Sequence, residues 1–362
     1  MRKKQRLLFF SHDQGGIQAI LPVADCFLNH TNVEIVRATT SIGVRQHPKV
    51  PWNIVAETSE WQWYISLLTD SAPDLVITGT SYQPKPGVLT PEQQVIAECR
   101  TRNIKTISIL DYWGFYRARF SRNHDQNFDL LPDIICALDD RCKEDLIRDG
   151  VPTEKIVVTH NPFFDAVVAS RPRYDPGLRL TSPQQILFCS QPLAEKGWKN
   201  QWGFDQFDVF EWLRETIQNN DVFENANIEI WVHPKERLET WLKKYTDQRF
   251  LINRRNSKPL PLSCSALVTC YSTTVFEALH LDIPCLTILP NPSCPIEMIT
   301  EHYELTRFIH DKSSLQSALL QIPSNRTIKA SIQKRTQLER RSLFFSGGDA
   351  TKKITQLIER SI

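Results

Sequence analysis

Four short stretches bring together residue types that could act on a charged, hydroxyl-rich substrate. The first is Ser11-His12-Asp13-Gln14-Gly15-Gly16. A carboxylate beside an imidazole could take a proton from a hydroxyl, and two glycines let a ligand approach the backbone. Asp13 could equally shape the turn or cap the helix that follows. The second stretch holds His233, Pro234 and Lys235. A residue before proline is driven extended, which places His233 at the end of an apolar run. There its ring could hydrogen-bond a phosphate, and Lys235 could add a point charge. The third is Tyr271-Ser272-Thr273-Thr274 with Glu277. Three hydroxyls at a helix start suit a phosphate, although Thr274 and Glu277 also have capping-box spacing, which needs no ligand. The fourth runs from Asp111 and Tyr112 through Trp113 and Tyr116 to Arg117 and Arg119. Aromatic faces with guanidinium groups suit a sugar ring, while Trp113 and Tyr116 equally fit a core at helical spacing.

Weaker signals accompany these. Asn161-Pro162 is turn chemistry, and Ser190-Gln191 opens a loop that could touch the same ligand. Asp139-Asp140 lacks the Asp-x-Asp spacing of a metal–nucleotide site and reads as a cap for a helix over 141–149. The glycines at 15 and 16 do not form G-x-G-x-x-G, which disfavours a nicotinamide cofactor. Nine cysteines without a C-x-x-C pair argue against zinc and for reduced thiols. No cofactor and no metal are expected.

These stretches all follow short apolar runs, at 7–10, 33–36, 74–78, 105–110, 133–137 and 155–158, and again at 185–190, 227–232, 265–270 and 284–288. Continuous apolar runs alternating with helical patterns predict parallel strands covered on both faces. Helix A is expected to start near Gln18, which would leave Pro22 in its first turn. The proline-rich segment 169–183 reads as a linker. The expected organisation is a Rossmann-like domain over 1–168, a second over 184–345, and a closing helix within 346–362. In such folds ligands bind beyond the carboxyl ends of the strands, in a central cleft between domains.

Composition narrows the partners. Lys and Arg number 43 against 41 Asp and Glu, a formal charge of +2, so no overall field favours nucleic acid. No apolar run approaches the roughly 20 residues of a membrane span. A cytoplasmic protein is expected, with peripheral contact at the inner face of the membrane left open.

The restarted Rossmann pattern, the His-Pro pair and the S-T-T-x-x-E-A-L turn resemble the GT-B superfamily. That superfamily holds nucleotide-sugar glycosyltransferases and non-hydrolysing UDP-sugar 2-epimerases. Within it, the His-Pro pair and hydroxyl turn are similar to bacterial sialyltransferases and capsule polymerases, with Thr273 standing for a second serine. SHDQGG, DYWGFYRARF, HNPFFD and SQPL look like bacterial polysaccharide-biosynthesis proteins of this fold. The resemblance implies a metal-independent transferase moving a sugar from a CMP-, CDP- or UDP-linked donor to a glycan or lipid-linked hydroxyl acceptor. His233, Pro234, Lys235, Ser272, Thr273, Thr274, Ser190 and Gln191 would hold the donor, with its ribose on Glu277. Gly15, Gly16, Asp111, Tyr112, Arg117 and Asn161 would face the acceptor, and Asp13 or His12 would be the base. The final helix would cross back onto the first domain. The competing readings are a 2-epimerase, which needs carboxylates near the sugar and a glycine-rich turn where CYSTT stands, a CDP-polyol phosphotransferase, and a non-catalytic binding subunit.

Overall fold

A computed structural model describes residues 4–56, 60–82, 85–169, 185–255, 260–261, 263–294, 296, 298–322, 326–340 and 344–362. Beyond Ala169, the expected linker lies outside the described residues. The chain divides into two compact units, Met1–Val168 with Glu339–Ile362, and Ala169–Leu338.

The first unit is built on seven parallel strands: β1 (Gln5–Phe10), β2 (Val33–Thr40), β3 (Ile54–Ala56), β4 (Leu75–Thr78), β5 (Lys105–Ile109), β6 (Ile134–Ala137) and β7 (Ile156–Val158). They lie in the order β3-β2-β1-β4-β5-β6-β7. The apolar run of β1 has a direct cause. Leu7 and Phe9 enter one core with Ile20, Val23 and Phe27, while Leu8 and Phe10 enter another with Tyr64, Leu67 and Val95. Alternate residues serve opposite faces, and helices cover both. The closing helix Ala350–Glu359 adds Ile354 and Ile358 to the first of these cores, beside the helix Gln14–Cys26.

The second unit repeats the plan with β8 (Gln185–Cys189), β9 (Asn227–Trp231), β10 (Phe250–Asn253), β11 (Cys264–Thr269), β12 (Cys285–Ile288) and β13 (Phe308–Ile309). Their order is β10-β9-β8-β11-β12-β13. Phe188, Phe210, Trp241 and Tyr245 form an aromatic centre under this sheet. Two Rossmann-like sheets are therefore present, as the pattern of apolar runs predicts.

Three strands were not expected: β3, β10 and β13. Each is an edge strand of only two to four residues, so its apolar run is too short to stand out from its surroundings. A second departure concerns Pro22. The helix starts at Gln14, capped by Asp13, so Pro22 lies inside it instead of in the first turn. Among the described residues no helix is long and apolar enough to cross a membrane.

Candidate functional site

In the first sheet the direction of winding reverses between β1 and β4, which leaves a crevice beyond their carboxyl ends. Three loops meet there. The helix start at Gly15-Gly16 is pressed so close that a Cβ on Gly15 would fall 2.0 Å from Asp111 Oδ2, and one on Gly16 would fall 2.3 Å from Ser11 Oγ. At Gly16 the Gly79 backbone also stands 3.1 Å away, so a side chain there has no room, while at Gly15 the Asp111 carboxylate would have to move. This close approach brings Asp13, at the head of the helix, beside Asp111 after β5.

A residue missed in the sequence organises this crevice. Glu92, in the first turn of the helix Pro91–Thr101, is 1% exposed. It accepts hydrogen bonds from Ser11 Oγ (2.8 Å), Ser81 Oγ (2.5 Å) and the His12 backbone N–H (2.9 Å), and pairs with His12 Nδ1 at 2.7 Å. The helix that carries Glu92 is fixed by a Thr90–Gln93 capping box, and Gln93 Nε2 also donates to the Ala118 and Arg119 carbonyls. Burial disfavours the Glu92 charge, but the His12 charge and the hydrogen bonds from the His12 ring, Ser81 and the His12 backbone outweigh that and hold the carboxyl well below its usual range. Asp13 is treated in the opposite way. Burial first, then the charges of Asp111 and Glu92, push it up to about 7, against the pull of His12 and the Gly16 N–H. One carboxylate is thus held ionised while another is poised to take up or release a proton near neutrality.

The aromatic–arginine stretch divides between roles. Arg119, 3% exposed, reaches Asp111 at 3.0 Å and Thr80 Oγ1 at 2.7 Å. Arg117, expected at the acceptor, turns away and pairs with Asp149 at 3.2 Å, because successive side chains on the short helix Tyr116–Phe120 point to different sides. Trp113 and Tyr116 are buried; the Trp113 ring stacks on Phe344 and its Nε1 donates to Asp139. Asp139 also caps the helix Asp140–Asp149. Tyr112 meets Trp113 edge-on. Asn161 does not join the crevice: it follows β7, at the sheet's far edge, and its side chain accepts from the Phe163 N–H. Phe115 stacks on Tyr82 with ring centroids 4.4 Å apart, and Arg119 lies 5.6 Å from the Tyr82 ring.

The second unit has its own reversal point, between β8 and β11. His233 and Pro234 follow β9. A buried glutamate again ties the loops: Glu236 accepts from Ser190 Oγ (2.8 Å), the His233 N–H (3.0 Å) and Trp241 Nε1 (3.1 Å). Burial pushes its carboxyl up against those bonds. His233 Nδ1 accepts from the Lys235 N–H at 3.1 Å, so the ring proton sits on Nε2. Burial, then Lys235, Lys196 and Arg254, lower its pKa to about 4. His233 is a neutral hydrogen-bond donor set among cations. Binding of a phosphate-diester probe, which does not titrate near neutrality, is therefore expected to stay flat between about pH 5.5 and 8. Calorimetric titration across that range checks this, and affinity falling sharply as pH rises through 6.5 would show a charged imidazole instead.

The hydroxyl turn departs from expectation. The helix Thr274–His280 begins at Thr274, with Thr273 as its cap residue, and the Thr274–Glu277 capping box does not form. Ser272 Oγ instead accepts from the Thr274 N–H at 3.3 Å. Glu277 grips Arg255 with both oxygens, at 2.6 and 2.5 Å, so its partner in this structure is the arginine. Arg255 in turn lies 5.2 Å from the Trp231 ring. Lys196 Nζ donates to Tyr271 OH at 2.6 Å, and the Gln191 carbonyl accepts from the Leu193 N–H. Among the described residues, no three His, Cys, Asp or Glu side chains are arranged to hold a metal ion.

No family model and no curated protein matches this sequence. Solved structures do match in fold. The UDP-GlcNAc 2-epimerase of Methanocaldococcus jannaschii is 15% identical, with 98% of this chain and 100% of that one covered at a TM-score of 0.67. The UDP-GlcNAc 2-epimerase of Neisseria meningitidis, solved bound to UDP-GlcNAc, is 13% identical over 99% of this chain and 100% of its own, with a TM-score of 0.66. A glycotransferase of kitacinnamycin is 12% identical over the full length of both chains, with a TM-score of 0.62. The chain thus shares the two-domain, GT-B-like Rossmann architecture of nucleotide-sugar epimerases and a glycosyltransferase.

Proposed function

We propose that this protein is a nucleotide-sugar enzyme whose first unit moves a proton on the sugar, and that epimerisation at a ring carbon is its reaction. The observation that carries this reading is the carboxylate crevice. Asp111 packs against Gly15 in the turn that Asp13 heads and its charge acts on Asp13, Asp13 is poised near neutrality, and Glu92 stays ionised. Inverting a C–H centre requires one group to take a proton and another to return it, and a carboxyl poised near neutrality, such as Asp13, can take it. The epimerases among the fold relatives support it. In the second unit the cations around His233 suit a phosphate group, with Arg254 fixed on the His233 and Glu236 carbonyls.

Transfer to a hydroxyl acceptor is the second reading, and two observations favour it. The 272–274 turn has no glycine, and Phe115 presents an exposed ring at the edge of the crevice. Incubation with UDP-GlcNAc in deuterium oxide separates the two. Epimerisation predicts solvent deuterium on the sugar carbon in recovered substrate without an acceptor; transfer predicts no exchange and nucleotide release only when an acceptor is present. Turnover in either case is expected to survive EDTA, since fixed cations and hydrogen-bond donors carry the phosphate charge. Loss of activity restored by Mg²⁺ or Mn²⁺ would contradict this.

A further inference from the structure

His12 and Glu92 form a carboxylate–imidazole pair that neither reaction above requires in itself. The pair is built rather than incidental. Glu92 is 1% exposed and takes its hydrogen bonds from two separate loops: Ser11 and the His12 backbone and ring after β1, and Ser81 after β4. Two hydroxyls and a backbone amide leave the carboxylate one orientation, with Oε2 2.7 Å from Nδ1. A carboxylate at Nδ1 keeps the proton on that nitrogen and turns Nε2 to other use.

We propose that Glu92 is a positioning residue that holds His12 as an imidazolium, so that His12 serves the site as a proton donor through Nε2 and not as its base. This rests on the proton-transfer reading of the crevice. The charged and titratable groups around the ring agree with it. Glu92 faces it from the helix Pro91–Thr101 and Asp13 follows it in the chain; Asp111 and Arg119 compensate each other after β5. Tyr64, from the helix Trp61–Ser71, feels Glu92 and stays protonated. Burial opposes charge on His12, but Glu92 and then Asp13 overcome it and lift the ring to about 9. The proton balance closes without a further reagent. Asp13 takes the proton from the sugar C–H, the electron pair staying on carbon, and Nε2–H delivers a proton to that carbon from its other face, so that a C–H bond re-forms. The N–H pair stays on nitrogen and the neutral ring keeps its Nδ1–H bond to Glu92. Asp13 then gives its proton to water and water restores the proton on Nε2, so no net proton is gained or lost.

The test is an NMR titration of the ring protons in the full chain, with His12→Gln identifying the resonance among the nine histidines. The wild-type midpoint is expected near 9, and Glu92→Gln should bring it down towards 6.5. Glu92→Asp should fall between. In turnover, Glu92→Gln should lower kcat with KM changed less than about twofold, and move the basic limb of the pH profile down. A wild-type midpoint at or below 6.5, or one unmoved in Glu92→Gln, overturns the proposal. If Glu92→Gln does not fold by circular dichroism, Ser81→Ala replaces it; a lowered midpoint supports the proposal and an unchanged one overturns it. The titration needs no substrate. Its failure counts against the pair alone, whereas a midpoint near 9 without turnover on any nucleotide sugar counts against the reaction.

Discussion

Asp13→Asn is expected to lower turnover roughly 10²–10⁴-fold, the usual contribution of a positioned base, while raising the melting temperature at pH 8. Both effects come from one cause. Burial and the neighbouring charges of Asp111 and Glu92 raise this carboxyl from 3.8 to about 7. For an acid with a raised folded-state pKa, ionisation costs folding free energy. The cost is absent below about pH 4, grows between pH 4 and 7, and is complete above 7. A displacement of that size corresponds to about 4 kcal/mol at most, and partial exposure brings the expected gain on neutralisation to about 1–3 kcal/mol. Asparagine keeps the capping oxygen that accepts from the Gly16 N–H, so the helix start is not lost with the charge. Melting curves of both proteins at pH 4 and pH 8 check this: the variant should be more stable at pH 8 and nearly equal at pH 4. Equal stability at both values, with turnover intact, would reduce Asp13 to a helix cap.

How much of this was legible in the sequence follows from where the residues lie. Strands whose two faces are both covered, such as β1 and β11, declare themselves as unbroken apolar runs. The strands β3, β10 and β13 do not, because their apolar runs last only two or three residues. His12, Asp13 and His233 stand out because each ends an apolar run beside glycine or proline. Glu92 was invisible for the opposite reason. It stands 80 positions from the His12 amide it binds, in a helix start that reads as an ordinary proline-led first turn. Glu236 left a signal: three residues past His233, it is within reach of the loop it ties. Arg119 rather than Arg117 could be chosen only once the short helix was oriented. The two units also share a device that sequence comparison within the chain does not reveal. In each, a buried glutamate accepts from the serine after the first strand and from the backbone N–H of a loop histidine: Ser11 and His12 on Glu92, Ser190 and His233 on Glu236. The halves solve the same problem, holding two strand-end loops in register, with glutamates from different elements.

The other large effect expected is on stability, at Arg255. Its guanidinium makes two parallel bonds to Glu277, whose side chain is 9% exposed against 28% for the arginine. Removing one partner of such a pair leaves a nearly buried carboxylate without compensation, which costs about 3–5 kcal/mol in fully buried cases. With the arginine partly exposed, Arg255→Ala should cost about 2–4 kcal/mol, a fall of roughly 4–16 °C in the melting temperature for a domain of this size. Part of that loss is packing, since the guanidinium also covers the Trp231 face. Arg255→Met with Glu277→Leu separates the contributions: removing both charges while keeping volume should recover most of the stability. On the proposed reading the pair also bears on how a nucleotide would be held. If the bidentate grip is as firm as its geometry, Glu277→Gln should leave nucleotide affinity nearly unchanged, because the carboxylate is already spent on Arg255. A large loss of nucleotide affinity in Glu277→Gln, with the melting temperature of Arg255→Ala unmoved, would show that Glu277 leaves the arginine and turns to the ligand.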